Sequence, residues 1–229
     1  MSTLGARRAI GMAMELAKDI VEWRRHLHAH PETGAETPET AAYVAGILRG
    51  LGLEVRTGVG GYGVVGLLRG TAESGRSDSR TIAVRADMDA LNVQEETVLE
   101  FASKMPGRMH ACGHDGHVAM ALGAATILSR MKDDVRGNVK FIFQPAEEGP
   151  GGAKPMIEDG VLRDSERSRR VWRRQWVPNA RLPIIGGIRC SSMIAISPTF
   201  SQAWRGTSWR RPVEERYRTS LNRPWAERT

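Results

Sequence analysis

Two stretches decide the fold: residues 81–89, TIAVRADMD, and residues 138–148, NVKFIFQPAEE. Each is a short run of β-branched, aliphatic or aromatic residues that stops abruptly at acidic side chains. Such runs read as buried strands with carboxylates at their carboxyl ends. Between them, Val118, Ala121, Leu122 and Ala125 recur at helical spacing, which predicts a helix over about 116–131 with Asp115 as its N-cap. Upstream, Met12, Leu16, Ile20, Trp23 and Leu27 mark one amphipathic helix stopped by Pro31. Thr37, Pro38 and Glu39 read as the N-cap, first position and first-turn acid of a second helix, with Val44, Ile47, Leu48 and Leu51 on its apolar face and Gly52 as its stop. Residues 53–57 and 63–69 read as strands joined at Gly60-Gly61, and residues 70–80 as a polar loop. The order α, α, β, β, β, α, β is that of an α/β fold, a mixed sheet layered by helices.

The composition fits this reading. With 229 residues, 41% hydrophobic and 26% charged, the chain has material for a core, and general disorder, collagen and a disulfide scaffold are excluded. No stretch reaches the apolar length of a membrane span. Residues 1–20 mix Arg7, Arg8, Glu15, Lys18 and Asp19 into their apolar positions, so no secretory signal is expected there. Cys112 and Cys190 lie far apart in different contexts, so a reduced, cytoplasmic protein is expected.

The net charge of +7 is unevenly spread. Residues 164–229 hold fourteen arginines, no lysine, five acids and five of the six tryptophans, whereas all six histidines precede them. Two compositions meet at this point. Residues 1–163 form the expected catalytic part. Residues 164–229 form an Arg/Trp-rich tail whose composition suggests an out-of-frame reading of a GC-rich gene or a disordered segment. The alternative is a basic tail whose arginines and aromatics stack on bases, but the tail shows no helical or strand periodicity and nucleic acid is not the expected partner. With only such a tail to cover the sheet, Leu122 and Ile142 are expected to face water.

Three polar groups sit at element ends: Asp87-Met88-Asp89, the run from His110 through Cys112 and His114 to Asp115, and Glu147-Glu148. Ligands of open α/β sheets bind outside the carboxyl ends of strands. Cys112 and His114 are two apart, so in an extended segment a thiolate and an imidazole converge on one side, a donor pair suited to zinc or a similar transition metal. A helix start nearby favours the thiolate. The alternative is a glycine-punctuated loop with a buried cysteine and surface histidines. Glu147-Glu148 is either a solvated acidic turn or a pair with divided roles, one carboxylate on a metal and its neighbour a general base. Asp89 can orient a ligand imidazole or close a strand-end turn. His26, His28 and His30 lack the glutamate of HExxH and read as structural.

Taken together, RRHLHAHPETGAET, GGYGVVGLLRG, TIAVRADMDALNVQEET, MHACGHDGHVAMALGAA and VKFIFQPAEEGPGGAKPMIEDGVL resemble, in this order, the amidohydrolase branch of the M20 metallopeptidases. That branch includes hippurate hydrolases, N-acyl-amino-acid amidohydrolases and auxin-conjugate hydrolases. Asn92 stands where its usual motif has proline. The resemblance implies the N-terminal part of a di-metal aminopeptidase-like catalytic domain, incomplete here, with two divalent ions (zinc, manganese or cobalt). It implies Cys112, His114 and Glu148 as ligands, Glu147 as general base and Asp89 as a residue supporting a ligand. The implied reaction is amide hydrolysis of N-acyl or N-aroyl amino acids by a homodimer. The family's two further histidine ligands lie beyond the matching motifs, and no histidine follows His117. An inactive fragment of such an enzyme is therefore the alternative.

Overall fold

In the computed structural model, which describes residues 3–72, 81–149 and 151–163, the two deciding stretches are neighbouring strands. β3 (Thr81–Asp87) and β4 (Asn138–Gln144) run parallel, pairing from Thr81 opposite Asn138 to Asp87 opposite Gln144. β1 (Glu54–Val59) pairs antiparallel with β2 (Gly63–Arg69), and β2 antiparallel with β4. The sheet order is β1-β2-β4-β3, the expected mixed sheet. The chain divides into two units, Met1–Ser192 and Met193–Thr229, and everything described belongs to the first. Residues 164–229, expected to be a tail, lie outside the described residues, as do Cys190 and residues 73–80 of the expected polar loop.

Helices α3 (Pro38–Gly50) and α4 (His114–Arg130) cover one face of the sheet, and α2 (Ala17–Ala29) packs on α4. The pleat of β4 sends Val139, Phe141 and Phe143 into the core beneath them, with Leu27, Val44, Leu48, Val118 and Leu122. Phe141 and Phe143 are fully buried, and truncating either to alanine removes a side chain worth about 3–5 kcal/mol in a packed core. Ile142 points the other way, against Val59, Val65 and the short helix α5 (Ala153–Glu158) with Met156. This corrects the expectation that Leu122 and Ile142 face water: both are 0% exposed. The segment that follows Glu148 folds back over the second face, with Val161 and Leu162 completing that cluster.

The expected N-terminal helix is two helices, α1 (Thr3–Glu15) and α2, meeting at Leu16. The bonds Leu16 N to Met12 O and Ile20 N to Leu16 O carry the helical pattern across the junction. Thr37 is the N-cap of α3, but its hydroxyl accepts no capping bond. The carboxylate of Glu32 reaches over instead and accepts the N–H groups of Glu39 and Thr40, at 3.1 and 2.8 Å. None of the described helices is long and apolar enough to cross a membrane.

Candidate metal centre

Parallel pairing of β3 and β4 sets their carboxyl ends side by side, and the start of α4 comes to the same place. Gly113, at φ +90°, caps α4 in a conformation that a side chain disfavours, and His114 follows as the first helical residue. Asp115, expected as the cap, lies within the first turn and is fully buried. His114 Nδ1 donates to the carbonyl oxygen of Asp89 at 2.7 Å, which fixes the tautomer and leaves Nε2 as the free donor atom. Cys112 Sγ, a His114 nitrogen and a Glu148 carboxylate oxygen all lie within 4.8 Å of one another, with His114 Nε2 3.8 Å from Glu148 Oε1.

The glutamate pair sits on a tight turn. Ala146 adopts a left-handed φ of +53°, is buried, and donates its N–H to Gly34 O. Gly152 donates back to Ala146 O, and a Cβ on Gly152 would lie 2.0 Å from Pro145 O, so only glycine fits this closure. The carboxylate of Asp89 lies beneath, its Oδ1 accepting the N–H of Glu147 at 2.9 Å and its Oδ2 that of Glu148 at 3.0 Å. Asp89 thus touches His114 through its backbone and the amides of both glutamates through its side chain. Burial opposes its ionisation, but hydrogen bonds from His114 and from the Glu147 and Glu148 amides outweigh this and lower its pKa.

Asp89→Asn places an amide donor against one of those N–H groups. The expected result is a loss of about 10–100-fold in metal affinity with about 1–3 kcal/mol of stability. A cobalt titration beside a denaturant melt measures both; unchanged affinity would show that the carboxylate does not support the ligands.

Around this point the charge is negative. Burial and then the Glu148, Glu147 and Asp87 carboxylates push the Cys112 thiol up to about 12, overriding the helix start that was expected to favour the thiolate. A divalent cation reverses that balance. The sulfur–nitrogen–oxygen donor set and the convergence of its atoms fit one ion of the zinc type. A second grouping, Asp87, His114 and His117, fits less well. Asp87 Oδ1 accepts from His117 Nδ1 at 2.6 Å and Oδ2 from Arg85 at 2.9 Å, and His114 is shared with the first group. Burial opposes ionisation of Asp87, yet the hydrogen bond from His117 and the charges of Arg85 and His114 hold it down to about 2. The Asp87–His117 pair has no counterpart in the expected roles, although its signal, a histidine three residues after His114 on the same helix face, is legible.

Glu147 is half-buried, and burial followed by the charge of Asp87 raises its pKa, as suits a base that must hold a proton transiently. Behind the site lies a second polar cluster, which includes His28, read from the sequence as structural. His28, 1% exposed, is held between Asp115 and Glu95. His110, 4% exposed, has no hydrogen-bond partner among the described residues on either ring nitrogen, and burial lowers its pKa to about 4, so it is neutral. His26 and His30 stay outside, His26 stacked on Tyr43 at 4.2 Å and His30 bonded to His26 O.

This sequence and fold are shared with known proteins. Residues 83–199 match the model of peptidase family M20/M25/M40, a stretch that runs past the last of the motifs at 162. The chain is 49% identical over 155 residues to an N-acyl-L-amino acid amidohydrolase of Geobacillus stearothermophilus, covering 65% of this chain and 39% of that protein. It is 44% identical over 155 residues to IAA-amino acid hydrolase ILR1-like 4 of Arabidopsis thaliana, covering 65% and 34%. The crystal structure of the Bacillus subtilis YXEP protein, a dinuclear metal-binding peptidase of the M20 family, superposes with a TM-score of 0.61 at 40% identity, covering 66% of this chain and 41% of that one. The chain therefore spans well under half the length of these relatives. A mixed sheet whose parallel strand ends gather a thiol, an imidazole and a glutamate pair, in a sequence that matches the family model over these same strands, assigns the chain to peptidase family M20/M25/M40.

Proposed function

We propose that the site serves metal-dependent hydrolysis of the amide bond of N-acyl or N-aroyl amino acids. The observation that carries this reading is the convergence of Cys112, His114 and Glu148 beside a glutamate, Glu147, that is held on the same turn but is not one of the three donors. A divalent ion there supplies Lewis acidity toward the scissile carbonyl. Glu147 takes a proton from the attacking water and returns it to the leaving nitrogen. Asp89 keeps Glu147 and Glu148 apart in direction by gripping their adjacent amides. The names of the Geobacillus and Arabidopsis relatives support an N-acyl amino acid as the substrate class. Two divalent ions, zinc, manganese or cobalt, belong to the same proposal, as does a cytoplasmic homodimer; no histidine follows His117 in the sequence.

That last observation favours a second reading for the chain itself, an inactive fragment, with residues 1–163 as the catalytic part and 164–229 as an Arg/Trp-rich tail, although the family match continues to 199. The test is an assay of the full chain loaded with zinc, manganese or cobalt against N-acetyl and N-benzoyl amino acids. We expect one ion per chain and turnover far below the usual enzyme range of about 1–10³ s⁻¹. Turnover within that range would show that residues beyond 163 complete the site and would remove the fragment reading. Absence of any bound ion would remove the metal reading.

A further inference from the structure

Asp115 follows the ligand His114 directly, and its side chain points away from the metal donors into the interface between α2 and α4. There its Oδ2 accepts from His28 Nδ1 at 2.8 Å and from Arg24 Nε at 3.1 Å, both groups of α2. The other ring nitrogen of His28, Nε2, faces Glu95 Oε1 at 3.3 Å. Carboxylate oxygens accept and do not donate, so each nitrogen of His28 is a donor. Glu95 is itself fastened, with Thr97 Oγ1 donating to Oε1 and Ser103 N donating to Oε2 at 2.6 Å. About two turns farther along, the helices are in close contact: a Cβ on Gly123 would come within 2.8 Å of Ile20 Cδ1. The first turn of α4 is therefore tied to α2 through polar contacts made in a dry environment, where loss of one partner strands a buried charge.

We propose that His28 is a positioning residue for the metal centre: by donating to Asp115 it fixes the first turn of α4, and with it the direction of His114 and of Cys112 just before the cap. The inference rests on the metal reading of Cys112, His114 and Glu148. It assigns to the second imidazole of the HLHAHPE segment a role that touches neither the ion nor the substrate. Its two hydrogen bonds are not equivalent. The bond to Asp115 acts on the ligand segment, whereas the bond to Glu95 acts on the loop that carries Thr97 and Ser103.

Amide side chains separate the two. An asparagine at 28 places its nitrogen where Nδ1 lies and can reach Asp115; a glutamine extends toward the place of Nε2 and Glu95. The experiment titrates the full chain and its H28L, H28N and H28Q variants with Co²⁺ alone, following the thiolate-to-cobalt absorption, with a thermal melt of each. His28→Leu is expected to weaken Co²⁺ by about 10–100-fold, the range for residues that orient ligands. His28→Asn should recover most of that loss and His28→Gln should not. A purely structural role lowers the melting temperature of both amide variants without splitting their affinities. Native Co²⁺ affinity in His28→Leu overturns the inference, as do equal affinities in the Asn and Gln variants, and the latter comparison stands even if the leucine variant fails to fold. If the unaltered chain shows no thiolate-to-cobalt band, the metal reading falls and this inference with it; a normal band that is indifferent to His28 sinks the inference alone.

Discussion

Glu147→Gln, in a version extended to the whole catalytic domain, is expected to leave the ion bound and to bring hydrolysis down to the background of the free ion, a fall of up to about 10²–10⁴. Glutamine has nearly the same shape, and its backbone N–H still reaches Asp89 Oδ1, so the turn that carries Glu148 is unchanged. What is lost is the acceptor for the water proton. The raised pKa of Glu147, caused by burial and then by the charge of Asp87, means that the carboxylate is a stronger base than a solvated one. Metal analysis beside an assay with an N-acetyl or N-benzoyl amino acid decides the matter. Undiminished hydrolysis in the variant moves the base elsewhere, and loss of the ion makes Glu147 a ligand instead.

Cys112→Ser is expected to cost more metal affinity than the roughly 10–100-fold typical of residues around a ligand, because it removes a donor outright. It should also change how affinity depends on pH. A thiol pushed up to about 12 is protonated throughout the neutral range and must release its proton when it binds a cation. Release of one proton strengthens apparent binding by about tenfold for each unit of rising pH below the thiol's pKa. The serine variant loses that share of the slope and keeps only what the imidazole contributes. Parallel titrations with Co²⁺ at several pH values measure both effects. A serine variant with the native affinity and the native slope would take Cys112 out of the ligand set.

Much of this arrangement is legible in the chain because it depends on local patterns. The runs TIAVRAD and NVKFIFQ read as strands from their β-branched and aromatic content, and the acids beyond them read as a site because strand ends are where sheets bind ligands. What stayed hidden is set by contacts between distant residues. Thr37 has the right chemistry for a cap, yet Glu32, five positions earlier, does the capping because the intervening turn brings its carboxylate onto α3. Asp115 has the right chemistry for a cap as well, and Gly113 takes that place while Asp115 turns inward to His28. Asp89 was read as a support for an imidazole; its carboxylate supports the glutamates, a pairing across 58 and 59 positions that no spacing rule reaches. Helix α5 was missed because Ala153–Glu158 is short and contains Pro155.

The parallel pairing of β3 and β4 has a consequence for how the protein is made. Asp87 and Asp89 stand at the end of one strand and the glutamate pair at the end of the other, and the chain reaches the second only after passing through α4. The centre is thus a product of long-range closure, which forms late on a folding route that must first pay the entropy of that loop. A cation that recognises only the closed arrangement stabilises contacts absent from the transition state. It acts as a brake on unfolding and leaves the rate of folding nearly untouched.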